Sequence, residues 1–156
     1  MKLRVIEADL EDRGHGEALV EIIDSYARGP GGQNRALSQH ARENLVEGLA
    51  QHPSATVLLA LIDERPIGTA VCVWSFSTFA GKPSVNIHDL AVLPAHQGRG
   101  AGRALLTDVE RRARARGCAK ITLEVHDTNE GAKRLYGSFG FGPWEPPTLF
   151  VTRTLD

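Results

Sequence analysis

The sequence holds little of what builds a disulfide scaffold, a metal site or a membrane span. Cys72, in an apolar stretch, and Cys118, after a helical run, are its two cysteines, with no CxxC spacing and no cluster of histidines beside them. Neither a disulfide framework nor a zinc site is expected, and His15, His40, His52, His96 and His126 lack ligand spacing. No apolar run approaches the roughly 20 residues that cross a bilayer. The N-terminus, Met1-Lys2-Leu3-Arg4-Val5-Ile6-Glu7, turns acidic before a signal-peptide core can form. The expectation is a cytoplasmic protein with no membrane partner. Charge of one sign is missing too: a formal net charge of −1 and a pI near 6.6 give no general attraction to nucleic acid, so any anion site must be local.

What is present is a chain of 156 residues, 42% of them hydrophobic, enough for one domain over 1–156 with a core of its own. Leu3 and Val5 alternate as a strand, and Ala18, Leu19, Ile22, Ile23 and Tyr26 fall at helical spacing within Leu10 to Tyr26. Gly29-Pro30-Gly31-Gly32 breaks that helix, and Ser38 can cap a second one through about Gln51. This insertion is polar and flexible enough to form a lid. Thr56 to Ile62 and Ile67 to Ser77 read as a hairpin turning at Asp63-Glu64-Arg65-Pro66.

Val85 to Leu93 is a further strand, stopped by Pro94. From Gly100 onward Leu105, Leu106, Val109 and Ala113 share one helical face, while Arg111, Arg112, Arg114 and Arg116 read as a solvated one. Lys120 to Val125 alternates as a strand, Asp127 or Thr128 can cap a helix to about Phe139, and Thr148 to Leu155 alternates as a closing strand. Strand, helix, strand, helix over 85–139 argues for a parallel contact, and the preceding hairpin for antiparallel neighbours.

Gln97-Gly98-Arg99-Gly100-Ala101-Gly102 follows a strand and opens a helix, where N–H groups without helical partners converge at the positive end of the dipole. Glycines let the backbone approach an anion, and Arg99 and Arg103 add charge at the rim. The same pattern also serves a tight packing corner. A P-loop needs Lys-Ser or Lys-Thr after its last glycine, and Arg103-Ala104 stands there instead. A dinucleotide fold has an acidic residue where Glu124 lies, but the glycine spacing is wrong and Pro94 to Gln97 intervene.

The run His88-Asp89-Leu90-Ala91-Val92-Leu93-Pro94-Ala95-His96-Gln97-Gly98-Arg99-Gly100-Ala101-Gly102 resembles the acetyl-CoA signature of the GCN5-related N-acetyltransferases. A second motif of that family is matched by Asn129 through Leu135-Tyr136-Gly137-Ser138-Phe139-Gly140-Phe141. The resemblance implies an α/β (mixed α+β) fold. Its central, mostly antiparallel twisted sheet carries a splayed parallel strand pair and about four flanking helices. It implies acetyl-CoA as cofactor, with Gln97, Gly98, Arg99, Gly100, Ala101, Gly102 and Arg103 at the pyrophosphate. Leu90, Ala91 and Val92 would lie along the pantetheine arm. Asn129 would contact that arm, Ala132 and Lys133 lie on its helical stripe, and Tyr136 would give a proton to the departing thiolate. A homodimer is implied at the level of the family.

Amine acetylation needs a neutral nucleophile, and an alkylammonium of pKa about 10.4 must first shed a proton. His88 and Asp89, on the strand entering the site, are candidate bases, and period-2 alternation puts them on opposite faces. Phe76-Ser77-Thr78-Phe79 and Gly81-Lys82 resemble polyamine-type members, in which a Glu stands where His88 does. Glu124 is a third candidate base or a substrate-attracting carboxylate, and Tyr26 is placed by position to line an acceptor site with His88. Neither cysteine has a paired base, so direct transfer in a ternary complex is expected. The acceptor is expected to be a polyamine or other small amine, then a protein N-terminus or lysine, then an aminoglycoside. A non-catalytic acyl-CoA-binding module and a nucleotide-binding protein are the readings from other classes.

Overall fold

The structure is a computed structural model that describes residues 1–155. Its elements are β1 (Leu3–Glu7), α1 (Arg13–Arg28), α2 (Gln39–Gln51), β2 (Ala55–Ile62), β3 (Arg65–Ser77), β4 (Lys82–Val92), α3 (Ala101–Ala115), β5 (Ile121–Leu123) and α4 (Glu130–Ser138). The strands form one sheet in chain order, antiparallel from β1 through β4 and parallel between β4 and β5. This is the mixed sheet with one parallel pair, flanked by four helices, that the sequence predicted.

Caps fix where the helices begin. Asp12 accepts the His15 N–H at 3.0 Å for α1, and Ser38 accepts the Ala41 N–H at 3.1 Å for α2. For α4 the cap is Asn129, which accepts the Ala132 N–H at 3.1 Å, and not Asp127 or Thr128. Asp127 instead accepts from Lys133 Nζ at 3.1 Å. The break after α1 is a place of close approach: a Cβ on Gly32 would stand 2.4 Å from the Tyr26 carbonyl oxygen.

The two faces of the sheet are packed unequally. On one, α3 lays Leu105, Leu106, Val109 and Ala113 against Leu58, Ala60, Ile67, Ala70, Val85 and Ile87, and Tyr136 closes the cluster. On the other, Leu19 and Ile22 of α1 meet Val57, Leu59, Leu61, Val71 and Ala91 in two smaller clusters, and α2 buries no residue fully. A buried aspartate joins α2 to α1. Asp24 Oδ1 accepts from the Leu37 N–H at 2.9 Å and from Arg42 at 3.0 Å.

Two expectations need correcting. Residues 148–155 form no strand: a strand is held by a neighbour's ladder, and these residues, with Leu149, Phe150, Val151 and Leu155 exposed, have none. The arginine run of α3 is not wholly solvated. Arg112 is clasped by Asp108 and by Glu7 of β1, each at 2.7 Å, and Arg116 lies 3.7 Å from the centroid of the Trp74 ring.

Candidate functional site

β4 and β5 part company in mid-sheet. Their pairing covers Val85 with Ile121, Asn86 with Thr122 and Ile87 with Leu123, and then stops. Beyond it Leu90, Ala91 and Val92 remain paired with β3 alone, so their groups that point away from β3 face an opening wedge. One of these is taken: Gln97 Nε2 donates to the Val92 carbonyl at 3.2 Å.

A β-bulge sits at the wedge's apex. Val71 faces Asp89 and Cys72 faces Ile87, so His88 is the extra residue without a partner. Ile87 and Leu90 consequently both join the cluster under α3, while His88 and Asp89 both line a cleft of about 340 Å³ on the α1–α2 side. Strict alternation had placed His88 and Asp89 on opposite faces. The bulge brings them together.

The same cleft is lined by Ile23, Leu45, Gly48, Leu49, His52 and Val71. None of these was singled out from the sequence as lining a site. The signal for Leu45 and Leu49 was their i, i+4 spacing on the predicted lid helix, which marks an inward face.

At the foot of the wedge a short 3₁₀ turn, Pro94–His96, delivers the chain to Gly98 and Gly100, at φ 76° and 89°. Gly100 is the N-cap of α3, and the Ala104 N–H returns to its carbonyl at 2.9 Å. The N–H groups ahead of Ala104 are the unpartnered first turn of a helix of fifteen residues, which follows an exposed glycine loop at 97–100. Arg103 is committed elsewhere: it donates to Ser138 Oγ at 3.0 Å and sits over the Phe139 ring at 5.1 Å, tying α3 to α4. Its main-chain N–H belongs to the first turn of α3; its charge does not lie free at the rim. Gly102 is a packing residue, since a Cβ there would stand 3.1 Å from Leu135 Cδ2.

Tyr136, from α4, is 8% exposed, with its ring edge-on to Phe141 at 5.9 Å. Burial pushes its hydroxyl up to about 12, and Tyr26 adds to the effect. Tyr26 is raised by burial first, then by the carboxylates of Asp89 and Glu124. Asp89 is raised by burial, with the charge of His88 pulling it back. Tyr26 is therefore within electrostatic reach of Asp89, Glu124 and Tyr136, and Asp89 within reach of His88. Asn129 uses Oδ1 for its cap and keeps its amide nitrogen near the loop after α1: a Cβ on Gly31 would lie 3.9 Å from Nδ2. Cys72 is buried and held up to about 12, chiefly by desolvation. Among the described residues no group of three or more His, Cys, Asp or Glu could hold a metal ion.

Residues 34–141 match the acetyltransferase (GNAT) family. The chain belongs to that family. The chain is 36% identical over 69 residues to a mycothiol acetyltransferase of Streptosporangium roseum, covering 44% of the chain and 20% of that protein. It is 28% identical over 102 residues to thialysine N-epsilon-acetyltransferase of Bos taurus, covering 60% of the chain and 59% of the relative. The chain thus spans a fifth to three fifths of the curated relatives it matches. Among solved structures, a ribosomal-protein-alanine N-acetyltransferase from Brucella melitensis biovar Abortus 2308 superposes with a TM-score of 0.78 at 19% identity, covering 98% of this chain and 99% of that one. An aminoglycoside acetyltransferase from an uncultured soil metagenomic sample, in complex with sisomicin, gives 0.80 at 19% identity, covering 99% and 97%. These two likenesses establish the fold of this chain. No helix of the described residues is long and apolar enough to cross a membrane.

Proposed function

We propose that this enzyme, acting as a single cytoplasmic domain, passes an acetyl group from acetyl-CoA to the primary amine of a small molecule. The observation that carries the reading is the wedge between β4 and β5, with an unpartnered helix mouth at its foot and Asp89 beside the bulge at its apex, while Tyr26 lies within electrostatic reach of both Asp89 and Tyr136. The residues present fit the cofactor. Gly98 to Arg103 offer main-chain N–H groups and a dipole to a diphosphate, and the free edge at Leu90 to Val92 offers a pantetheine amide the pairing of a missing strand. Asn129, Ala132 and Lys133 would border the arm.

When bound, acetyl-CoA supplies an activated acyl carbon and a thiolate leaving group. Asp89, whose burial raises its affinity for a proton, takes the proton shed by the substrate ammonium, directly or through one water. His88 stands beside it at the cleft rim, Glu124 draws the cation in, and Tyr26 lines the approach. A main-chain N–H in Leu90 to Val92 would be the donor available to an acyl oxygen. Tyr136 would hold the proton that a departing thiolate needs. The buried Cys72, with its thiol held high, is unsuited to an acyl-enzyme, which supports direct transfer.

The cleft walls of Ile23, Leu45, Leu49 and Val71 around one carboxylate support an amine on a short apolar body ahead of a polyamine. The test is release of free CoA thiol from acetyl-CoA across a panel of alkyl and aromatic monoamines, polyamines, an aminoglycoside and an N-terminal peptide. Turnover of a small amine is expected. Tight CoA binding with no turnover on any acceptor would leave a non-catalytic binding module, and turnover of the peptide alone would move the acceptor to protein.

A further inference from the structure

α2 presents one stripe to the cleft beside the bulge. Leu45, Gly48, Leu49 and His52 fall at i, i+3, i+4 and i+7, and all four line the space of about 340 Å³ that holds His88 and Asp89. Leu45 and Leu49 pack back on Leu19, Val57 and Val71, which turns the stripe toward the sheet.

Gly48 is the member of that stripe that needs a reason. A glycine inside a helix weakens it relative to alanine, because a freer backbone must be ordered and no side chain is gained. Its backbone is helical, a conformation that alanine adopts without strain. Close packing gives no reason either, since nothing lies within 4 Å of where a Cβ would stand. At each of the other helical glycines among the described residues a Cβ would have a neighbour, as Gly16 has Val46 at 3.3 Å and Gly102 has Leu135 at 3.1 Å. What the missing side chain does at position 48 is widen the cleft.

His52 ends the same stripe as the C-cap of α2. Its Nδ1 accepts the Ser54 N–H at 3.3 Å, so the ring hydrogen is on Nε2, and that N–H is the polar group His52 has to offer. Asp89, the one carboxylate of the cleft, belongs to the strand opposite. The cleft therefore has a proton acceptor on β4, apolar walls with a gap at Gly48, and a hydrogen-bond donor on α2. An apolar cavity of about 150 Å³ suffices for benzene, so this cleft admits an aromatic ring with room for a substituent.

We infer that the stripe of α2 is the subsite that selects the acceptor: the space at Gly48 takes an aromatic ring, and His52 Nε2–H donates to an oxygen at the ring's far end. The inference rests on the acetylation of a small amine argued above. It names the class as an arylalkylamine with an oxygen acceptor remote from its amino group.

Release of CoA thiol is measured for n-propylamine, phenethylamine and the para-carboxamide of phenethylamine, and the parent is expected to prefer them in rising order. Gly48→Ala is expected to melt at a higher temperature than the parent. It is also expected to cut the preference for phenethylamine over n-propylamine at least tenfold, a pairing of stabilisation and selective loss that a structural glycine would not give. His52→Ala is expected to cut the preference for the carboxamide over phenethylamine at least tenfold, and His52→Gln, which keeps a donor, to restore part of it. A parent that prefers n-propylamine, a Gly48→Ala form with a lower melting temperature or an unmoved preference, or a His52→Ala effect equal on both aromatic amines would each overturn the subsite. Calorimetric titration of the carboxamide into the full chain, with CoA present, separates the subsite from the reaction. Binding at least tenfold weaker to Gly48→Leu than to the parent sustains the subsite even where no amine is acetylated. Equal binding, or none to the parent, overturns it and leaves turnover of other amines to stand.

Discussion

Burial acts on Tyr136 and Asp89 in the same direction and gives them opposite tasks. A phenol pushed up to about 12 keeps its proton at every working pH, so the donor is always loaded. Replacing it by phenylalanine removes the hydroxyl and leaves the ring against Phe141. Tyr136→Phe is expected to lower kcat by about 100-fold or more with KM little changed, and an unaltered kcat would reduce Tyr136 to a packing residue. For Asp89 the raised value means that the native state holds a proton the unfolded chain has already released. Within that window the native state binds more protons, so stability falls as pH rises through it and stays lower above. Asp89→Asn is accordingly expected to melt at a higher temperature than the parent at neutral pH, with no such gain below the ordinary carboxylate range. It is also expected to lose the acidic limb of the kcat/KM profile along with most activity. Thermal melts at two pH values and one pH–rate series check both halves. Tyr136 and the glycine loop were legible in the sequence because helical stripes and glycine runs are local patterns. The joint orientation of His88 and Asp89 was not, because a one-residue bulge leaves no mark in a period-2 reading.

Elements were readable wherever their own residues fix them. Stripes such as Leu105, Leu106, Val109 and Ala113 announced α3, and Ser38 announced α2, because burial on one side and a side-chain cap are written locally. The segment 148–155 has the composition of a strand and is none, because pairing depends on a partner that local sequence does not name. The mouth of α3 shows the opposite case, an element end whose conformation its residues dictate. Gly98 is at φ 76° with nothing within 4 Å of where a Cβ would sit, so Gly98→Ala meets backbone strain and no clash. A loss of about 1 kcal/mol in stability is expected. Because the loop would relax away from the geometry that aims its N–H groups, CoA affinity is expected to fall at least tenfold, measured by titration calorimetry with the folded fraction checked by melting. An alanine variant that binds CoA as the parent does would remove the loop from the diphosphate site.

Across the whole molecule the sheet separates a packed face from a loosely packed one. Under α3 the fully buried Leu105, Leu106 and Val109 form a continuous core, and Leu105→Ala there is expected to cost about 2–5 kcal/mol. Over the other face α2 buries nothing completely and spans the cleft lined by His88 and Asp89. Its attachment runs through Asp24, whose carboxylate is held below its usual range, first by the Leu37 N–H and then by Arg42 and Arg28, against the opposing effect of burial. A depressed carboxylate stabilises above its unfolded pKa and ceases to as pH falls through the native one. The α2 clasp is therefore intact at neutral pH and released in acid, while the α3 face has no such dependence on Asp24. Hydrogen exchange followed by mass spectrometry is expected to find 39–51 less protected than 101–115 at neutral pH. Asp24→Ala should raise exchange in 39–51 at least tenfold with 101–115 unchanged. If the lid layer covers the acceptor, the same variant should raise KM for the amine and leave KM for acetyl-CoA alone. Equal protection of the two helices, or an Asp24→Ala effect spread over both faces, would mean that the molecule opens as one unit and that α2 is no lid.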